Sequence, residues 1–194
     1  RFFRAYFYHI LINLYGDVPF VTEPIDIFDA ELPRTSKSAI LEFIHSELDA
    51  VISILPTEYP PNEKGRVTKG TAIAIKSRIA LFNEQWSEAA SSAKAVMDLG
   101  IYQLYPNYQE LFTYAGEQNS EEIFTIQYSR ENNLTHKTAR NLWGRLAGGW
   151  TNKVPTQALV DAYQCVDGLR IDQSPLYDPT NPFENRDPRM TETI

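Results

Sequence analysis

TKGTAIAIKSRIALFNEQWSEAASSAKAVMDLG, residues 68–100, decides how the rest of the chain is read. Ala72, Ile75, Ile79 and Phe82 recur at intervals of three and four, the period of one helical face. A helix is therefore expected from about Thr68 to Phe82 with these four residues inward. Asn83-Glu84-Gln85-Trp86 is short enough for a tight turn between antiparallel helices. A further helix is expected from about Ser87 to Leu99. Ser87 suits the N-cap, Glu88 the positive helix start, and Gly100 the left-handed residue that ends a helix. Ala89, Ala90, Ala93 and Ala95 carry so little side chain that this helix can approach its neighbour closely.

A helix pair of about 34 residues with small residues at the crossing resembles a tetratricopeptide unit, which stacks on its neighbours to bury a shared core. Working back toward the N-terminus, Ile40, Ile44, Leu48, Val51 and Leu55 form the stripe of a helix from about Ser36 to Leu55, with Pro56 behind its end. Residues 1–15 read as another helix. Phe3, Phe7, Ile10 and Leu14 share one face, which Phe2, Tyr6, Leu11 and Tyr15 widen, so burial on more than one side is expected. Gly16 and Pro19 stop it. Pro19, Pro24 and Pro33 hold residues 17–34 as an extended, packed connection without a helix.

Beyond residue 100 the periodicity fails. Glu122 to Tyr128 is the best strand candidate, being β-branched and aromatic. Residues 129–154 read as loop, Thr156 to Tyr163 as a short helix after Pro155, and Asp167-Gly168 as a turn. Residues 174–189, with four prolines, read as a long loop. The expected fold is mainly α. Tetratricopeptide-like hairpins over residues 1–100 form a scaffold, and residues 101–194 form an irregular, loop-rich ligand-binding part with a few short strands.

Composition narrows the function. The 25 acidic residues against 18 basic ones give a net charge of −7, and no basic run exists to line a phosphate backbone, so a nucleic-acid partner is not expected. No stretch reaches the roughly 20 apolar residues of a membrane span. The single cysteine, Cys165, excludes an intrachain disulfide and a cysteine-based zinc site, and it reads as a small packed side chain. The chain opens inside a helical pattern at Arg1-Phe2-Phe3-Arg4, which reads as part of a longer protein.

Chemistry-bearing constellations are sparse. His9 reads as a hydrogen-bonded helix histidine, His45 as a solvated one, and His136 as the one histidine in a loop that could approach a ligand. No spacing suits metal, a phosphate cradle or a nucleophile elbow. Glu121 and Glu122 would point to opposite faces of a strand, wrong for joint acid–base work. Asp178 to Glu184 lacks the alternating carboxylates and the mid-loop glycine of a calcium loop. Asn133-Leu134-Thr135 matches the glycosylation pattern, which matters only in a secretory host. No catalytic residue, metal or cofactor is expected, and a glycosidase is the weakest of the readings considered.

What remains is the segment from Tyr128 to Asn152. It gathers Tyr128, Trp143 and Trp150, the amides of Asn132, Asn133, Asn141 and Asn152, and Arg130, Arg140 and Arg145, in a loop with Gly144, Gly148 and Gly149. Flat aromatic rings cover the C–H faces of a sugar, while amides and guanidinium groups satisfy its hydroxyls. Tyr128, Asn132, Trp143, Arg145, Trp150 and Asn152 are the candidate ligand-binding residues. The competing reading has both indoles filling the core beneath the loop.

Several strings then line up in order. They are Phe2-Phe3-Arg4-Ala5-Tyr6-Phe7, Leu14-Tyr15-Gly16-Asp17-Val18-Pro19, Gly65-Arg66-Val67-Thr68-Lys69-Gly70-Thr71-Ala72, Asn119-Ser120-Glu121-Glu122-Ile123, Pro155-Thr156-Gln157-Ala158-Leu159-Val160-Asp161-Ala162-Tyr163 and Asn185-Arg186-Asp187-Pro188-Arg189. Together they resemble the SusD/RagB family of Bacteroidota outer-membrane lipoproteins, over nearly the whole chain. The resemblance implies non-catalytic binding of oligosaccharide or polysaccharide nutrients at the cell surface and delivery to a SusC-like TonB-dependent transporter. It also implies attachment through an N-terminal lipidated cysteine upstream of Arg1, a role Cys165 cannot fill. Its strings look architectural, the Arg-Asp-Pro-Arg string tying a loop through ion pairs, and the Trp143–Asn152 loop lies where members place ligand-facing loops. The alternative is an intracellular helical-repeat adaptor for a protein partner.

Overall fold

The expected helices form largely where caps and stop residues place them in the computed structural model, which describes residues 1–129, 131–135 and 138–194, with 139, 140 and 147 described by backbone only. Arg130, His136 and the Arg140 side chain lie outside the described residues. The chain divides into two units, residues 1–104 with 120–126 and residues 105–119 with 127–194.

The first unit holds four helices: α1 (Phe2–Tyr15), α2 (Lys37–Ile52), α3 (Lys69–Phe82) and α4 (Trp86–Asp98). Gly16 closes α1 at φ 70°, donating its N–H to the Ile12 carbonyl. The Ser36 hydroxyl caps α2 by accepting from the Ala39 N–H at 3.3 Å. Thr68 and Thr71 make a reciprocal capping box that starts α3, satisfying donors that a helix start would otherwise leave bare. The α2 stripe is as the sequence implies. Ile40, Ile44 and Leu48 are fully buried among Phe2, Ala5, Tyr8, Ile12, Val18, Ala72 and Ile79, with Val51, Leu55 and Ile75 packed on that core.

Helix α1 is turned the other way from expectation. Phe3, Phe7 and Leu14 are 54, 58 and 69 % exposed, and Ile10 is exposed too, while Phe2, Ala5, Tyr8, His9 and Ile12 face the core. Polar anchors set this rotation. Arg4 donates to the Glu47 carboxylate on α2 through Nε at 2.9 Å and Nη2 at 2.6 Å. The Tyr8 hydroxyl accepts from the Val21 N–H at 2.6 Å and donates to the Val21 carbonyl at 2.8 Å. A buried carboxylate left without a cation costs several kcal/mol, and Arg1 Nε lies 3.4 Å from the same Glu47 carboxylate. The same rotation sets the His9 ring edge-on to Phe82, and Phe82, expected inward, stays largely exposed.

Helices α3 and α4 form the expected hairpin through a turn at Asn83–Gln85. The N-cap is Gln85 and makes no side-chain cap bond, so Ser87 lies inside α4 and does not cap it. Ala89, Ser92 and Val96 form the buried face, and Ser77 donates to the Ala89 carbonyl at 2.8 Å. Ala90 and Ala93 are exposed, so two of the four alanines take no part in the crossing.

Residues 17–34 hold more structure than expected. Two short antiparallel strands, β1 (Val18–Pro19) and β2 (Arg34–Thr35), pair Val18 with Thr35, and a 3₁₀ turn at Ile27–Asp29 sits between them. Residues 22–31 are exposed, so this tip is not packed. Glu122–Tyr128 enters no strand ladder among the described residues. Its first half lies along helices: Thr71 donates its hydroxyl to the Ile123 carbonyl at 3.1 Å, and Phe124 meets Phe2 edge-on. A β-prone sequence with only helices for neighbours has no ladder to join.

The second unit is built of short helices, α5 (Thr138–Leu142), α6 (Gln157–Ala162) and α7 (Pro188–Thr193), joined by turns. Thr156 caps α6 and Asp187 caps α7. Helix α7 lies where the sequence suggested the end of a loop. Cys165 is buried and unpaired, and the Gly168 turn is present at φ 79°. No described helix is long and apolar enough to cross a membrane.

Burial first, then the nearby Arg78 and Lys37, holds the His9 imidazole below its ordinary range. Between that lowered value and the unfolded value of about 6.5, the unfolded chain binds a proton that the folded chain refuses. Stability should therefore fall as pH drops through this window. Thermal melts from about pH 7.5 to about pH 5.5 are expected to show the loss, and His9→Gln to flatten it. An equal slope in the variant would reject His9 as the source.

Candidate functional site

The loop from Asn141 to Asn152 is a clasp closed by its own backbone. At its neck Asn152 N–H donates to Asn141 O at 2.9 Å and Thr151 N–H to Trp143 O at 3.1 Å. Inside, Gly149 N–H donates to Gly144 O and Gly148 N–H to Arg145 O, both at 3.1 Å, around a 3₁₀ turn at Arg145–Ala147. Gly148 has φ 80°, open to glycine at little cost. Gly149 is buried because the Trp143 backbone lies where its Cβ would be. Thr151 holds φ 53°, a strained conformation for a β-branched residue, and the Trp143 carbonyl receives both its N–H and, at 3.4 Å, its hydroxyl.

This clasp presents Trp143 and Trp150, 58 and 51 % exposed, on the two sides of the neck. Neither indole is core filling. Arg145 and Leu146 stand exposed in the 3₁₀ turn. Asn152 serves the neck itself, its amide reaching Asn141 Oδ1 at 3.4 Å. Tyr128, half-exposed, and Asn132 sit on a separate turn, where Ser129 and Leu134 exchange two backbone hydrogen bonds at 2.8 Å. Asn132 is committed there, donating its side-chain amide to the Ser129 hydroxyl at 3.2 Å. The sequence pointed to the rings. It did not single out Asn141, Gly149 and Thr151 as the residues that hold them, although the Gly148-Gly149 pair was the available signal.

Among the described residues no group of three His, Cys, Asp or Glu could hold a metal ion. His45 is not simply solvated: its Nε2 meets Gln85 Oε1 at 2.7 Å. The Arg186-Asp187-Pro188-Arg189 string is tied differently from expectation. Arg186 is buried and donates to three carbonyls, those of Pro182, Val160 and Tyr163. The ion pair of the string joins Arg189 to Asp187, and this bond holds the Asp187 carboxyl below its usual range.

Comparison with known proteins follows the same outline. The family model described as starch-binding associating with outer membrane matches residues 1–81, and that of the SusD family matches residues 120–194. The SusD-like protein P25 of Formosa agariphila is 29 % identical over 132 residues, 68 % of this chain and 25 % of its own. A SusD-like carbohydrate-binding protein of Bacteroides fragilis superposes with a TM-score of 0.90 at 33 % identity, over 98 % of this chain and 38 % of that one. A laminarin-binding SusD-like protein matches 63 % of this chain and 28 % of its own at 29 % identity and a TM-score of 0.60. The chain spans about a quarter of the length of the curated relatives it matches. The helical order, the strings that cap and tie it, and these matches at both ends agree: the chain belongs to the SusD/RagB family.

Proposed function

We propose that this protein captures neutral oligosaccharides at the cell surface, without bond chemistry, and passes them to a SusC-like TonB-dependent transporter in the outer membrane. The observation that carries the reading is the pair of half-exposed indoles held on a clasped loop. Exposed aromatic faces fixed in place can cover sugar rings with little entropy to lose on binding. The laminarin-binding relative supports the ligand class. In this reading residues 1–100 are the scaffold and the docking side toward the transporter, and 101–194 carry the ligand. Trp143 and Trp150 stack on sugar, Arg145 and Tyr128 reach hydroxyls, and Asn132 and Asn152 shape the turns beneath. An N-terminal lipid anchor would hold it to the membrane.

Calorimetry with laminari-, malto-, xylo- and manno-oligosaccharides tests this. At least one series is expected to bind with a millimolar to micromolar Kd, as suits a carrier that must release its cargo. Trp143→Ala and Trp150→Ala are each expected to weaken it about tenfold, which is about 1.4 kcal/mol. Binding indifferent to both substitutions would reject the site, and release of reducing ends from any of the glycans would reject the absence of catalysis.

A further inference from the structure

The helical unit carries a cleft of its own, about 450 Å³, lined by His45 and Asp49 of α2, Lys76 of α3, and Gln85, Trp86, Ser87 and Glu88 at the α3–α4 turn. Lys76 is mostly buried and lies between two carboxylates, Nζ to Asp49 Oδ1 at 2.6 Å and to Glu88 Oε1 at 2.7 Å. Each carboxylate is substantially exposed and keeps its other oxygen outside that ion pair. His45 donates through Nε2 to Gln85 Oε1 at 2.7 Å, while its Nδ1 is buried with no hydrogen-bond partner. Trp86 is 62 % exposed at the rim.

We propose that this cleft is a ligand site for a single neutral sugar residue, separate from the 141–152 loop. The inventory selects that chemistry. An anion would meet two carboxylates. A small cation finds the place between those carboxylates already taken by the Lys76 ammonium. What stays open is a set of acceptors, with the Ser87 hydroxyl and the Gln85 amide as donors, around one flat indole. A sugar ring supplies the complement: hydroxyls that donate to the exposed carboxylate oxygens, and a C–H face for Trp86. The volume falls within the range of small-ligand pockets.

The chain contains three tryptophans, so the labelled 194-residue protein gives three indole N–H signals, assigned by single Trp→Phe variants. Titration with laminari-, malto-, xylo- and manno-tetraoses up to tens of millimolar is expected to move the Trp86 signal saturably with at least one of them. The shift should persist in the Trp143→Ala/Trp150→Ala double variant and weaken about tenfold in Lys76→Met, which releases both carboxylates, and in His45→Phe, which releases the Gln85 amide. A Trp86 signal unmoved by every tetraose overturns the proposal, even where Trp143 and Trp150 respond and the loop reading stands. Movement of Trp86 with N-acetylargininamide alone also overturns it, making the cleft a seat for a cationic side chain of a partner protein.

Discussion

Gly149→Ala is expected to abolish the loop's contribution to glycan binding, an effect as large as losing both indoles, while leaving the melting of the helical unit unchanged. The reason is steric and local. A Cβ at Gly149 would be driven into the Trp143 carbonyl, its carbon and its Cβ. These are backbone and near-backbone atoms, so no flexible end can swing aside. The loop must open, and with it go the Gly149–Gly144 and Thr151–Trp143 hydrogen bonds that set the two rings apart at the neck. The matched control is Gly144→Ala, where a Cβ meets nothing within 4 Å and the backbone is ordinary. Two measurements separate the outcomes. The Trp143 indole signal should shift in Gly149→Ala and stay in place in Gly144→Ala, and calorimetry with the best-binding oligosaccharide should follow the same order. If Gly149→Ala keeps both the signal and the affinity, the clasp does not position the rings.

Arg186→Met is expected to cost the second unit about 4 kcal/mol, since hydrogen bonds from a charged donor contribute about 1.5–3 kcal/mol each and some released carbonyls regain water. Arg186 Nη1 donates to Pro182 O at 2.7 Å, and Nη2 donates to Val160 O at 2.6 Å and Tyr163 O at 2.8 Å. Its guanidinium also lies over the Tyr177 ring. One side chain therefore ends α6, closes the 174–187 turns and underlies the bridge in which Asp187 N–H donates to Gln164 O at 2.9 Å. Methionine matches the length and removes every donor. Amide hydrogen exchange should report lost protection over 157–187 with little change in α2 and α3. Arg189→Met, which removes an exposed guanidinium, should leave that protection near the parent's. Equal protection in Arg186→Met would show that the carbonyls find other donors.

The sequence made some features legible because they depend on neighbours a few residues away. Gly16 and Gly100 end helices at positive φ as read, whereas the one N-cap read from the sequence, Ser87, lies inside α4 because the turn ends at Gln85. The α2 stripe could be read because it is the one apolar face of that helix. Helix α1 could not be oriented, since it has apolar residues all round and its rotation is chosen by Arg4 reaching Glu47, 43 residues away. Glu122–Tyr128 has strand chemistry, yet its Ile123 carbonyl accepts from a threonine of α3. The Arg-Asp-Pro-Arg string was read as tying a loop through ion pairs; Arg189 and Asp187 do pair, but Arg186 binds the carbonyls of Pro182, Val160 and Tyr163, the last two brought near by the turn at Gly168.

The same division holds at the site. Trp143 and Trp150 could be named from sequence because large flat rings among glycines and amides are unusual in a loop, but whether they faced core or solvent depended on the neck bonds from Thr151 and Asn152. The cleft at Trp86 was invisible, since His45, Asp49, Lys76 and Glu88 come from three helices and meet only when α2 packs beside the α3–α4 hairpin. By itself, then, the amino-acid order determined the four helices of the first unit, where they stop and the family, because periodicity and stop residues act over one or two turns. The tertiary structure decided which faces are buried and which rings are offered to a ligand, because those outcomes are set by hydrogen bonds and steric contacts between residues far apart in the chain.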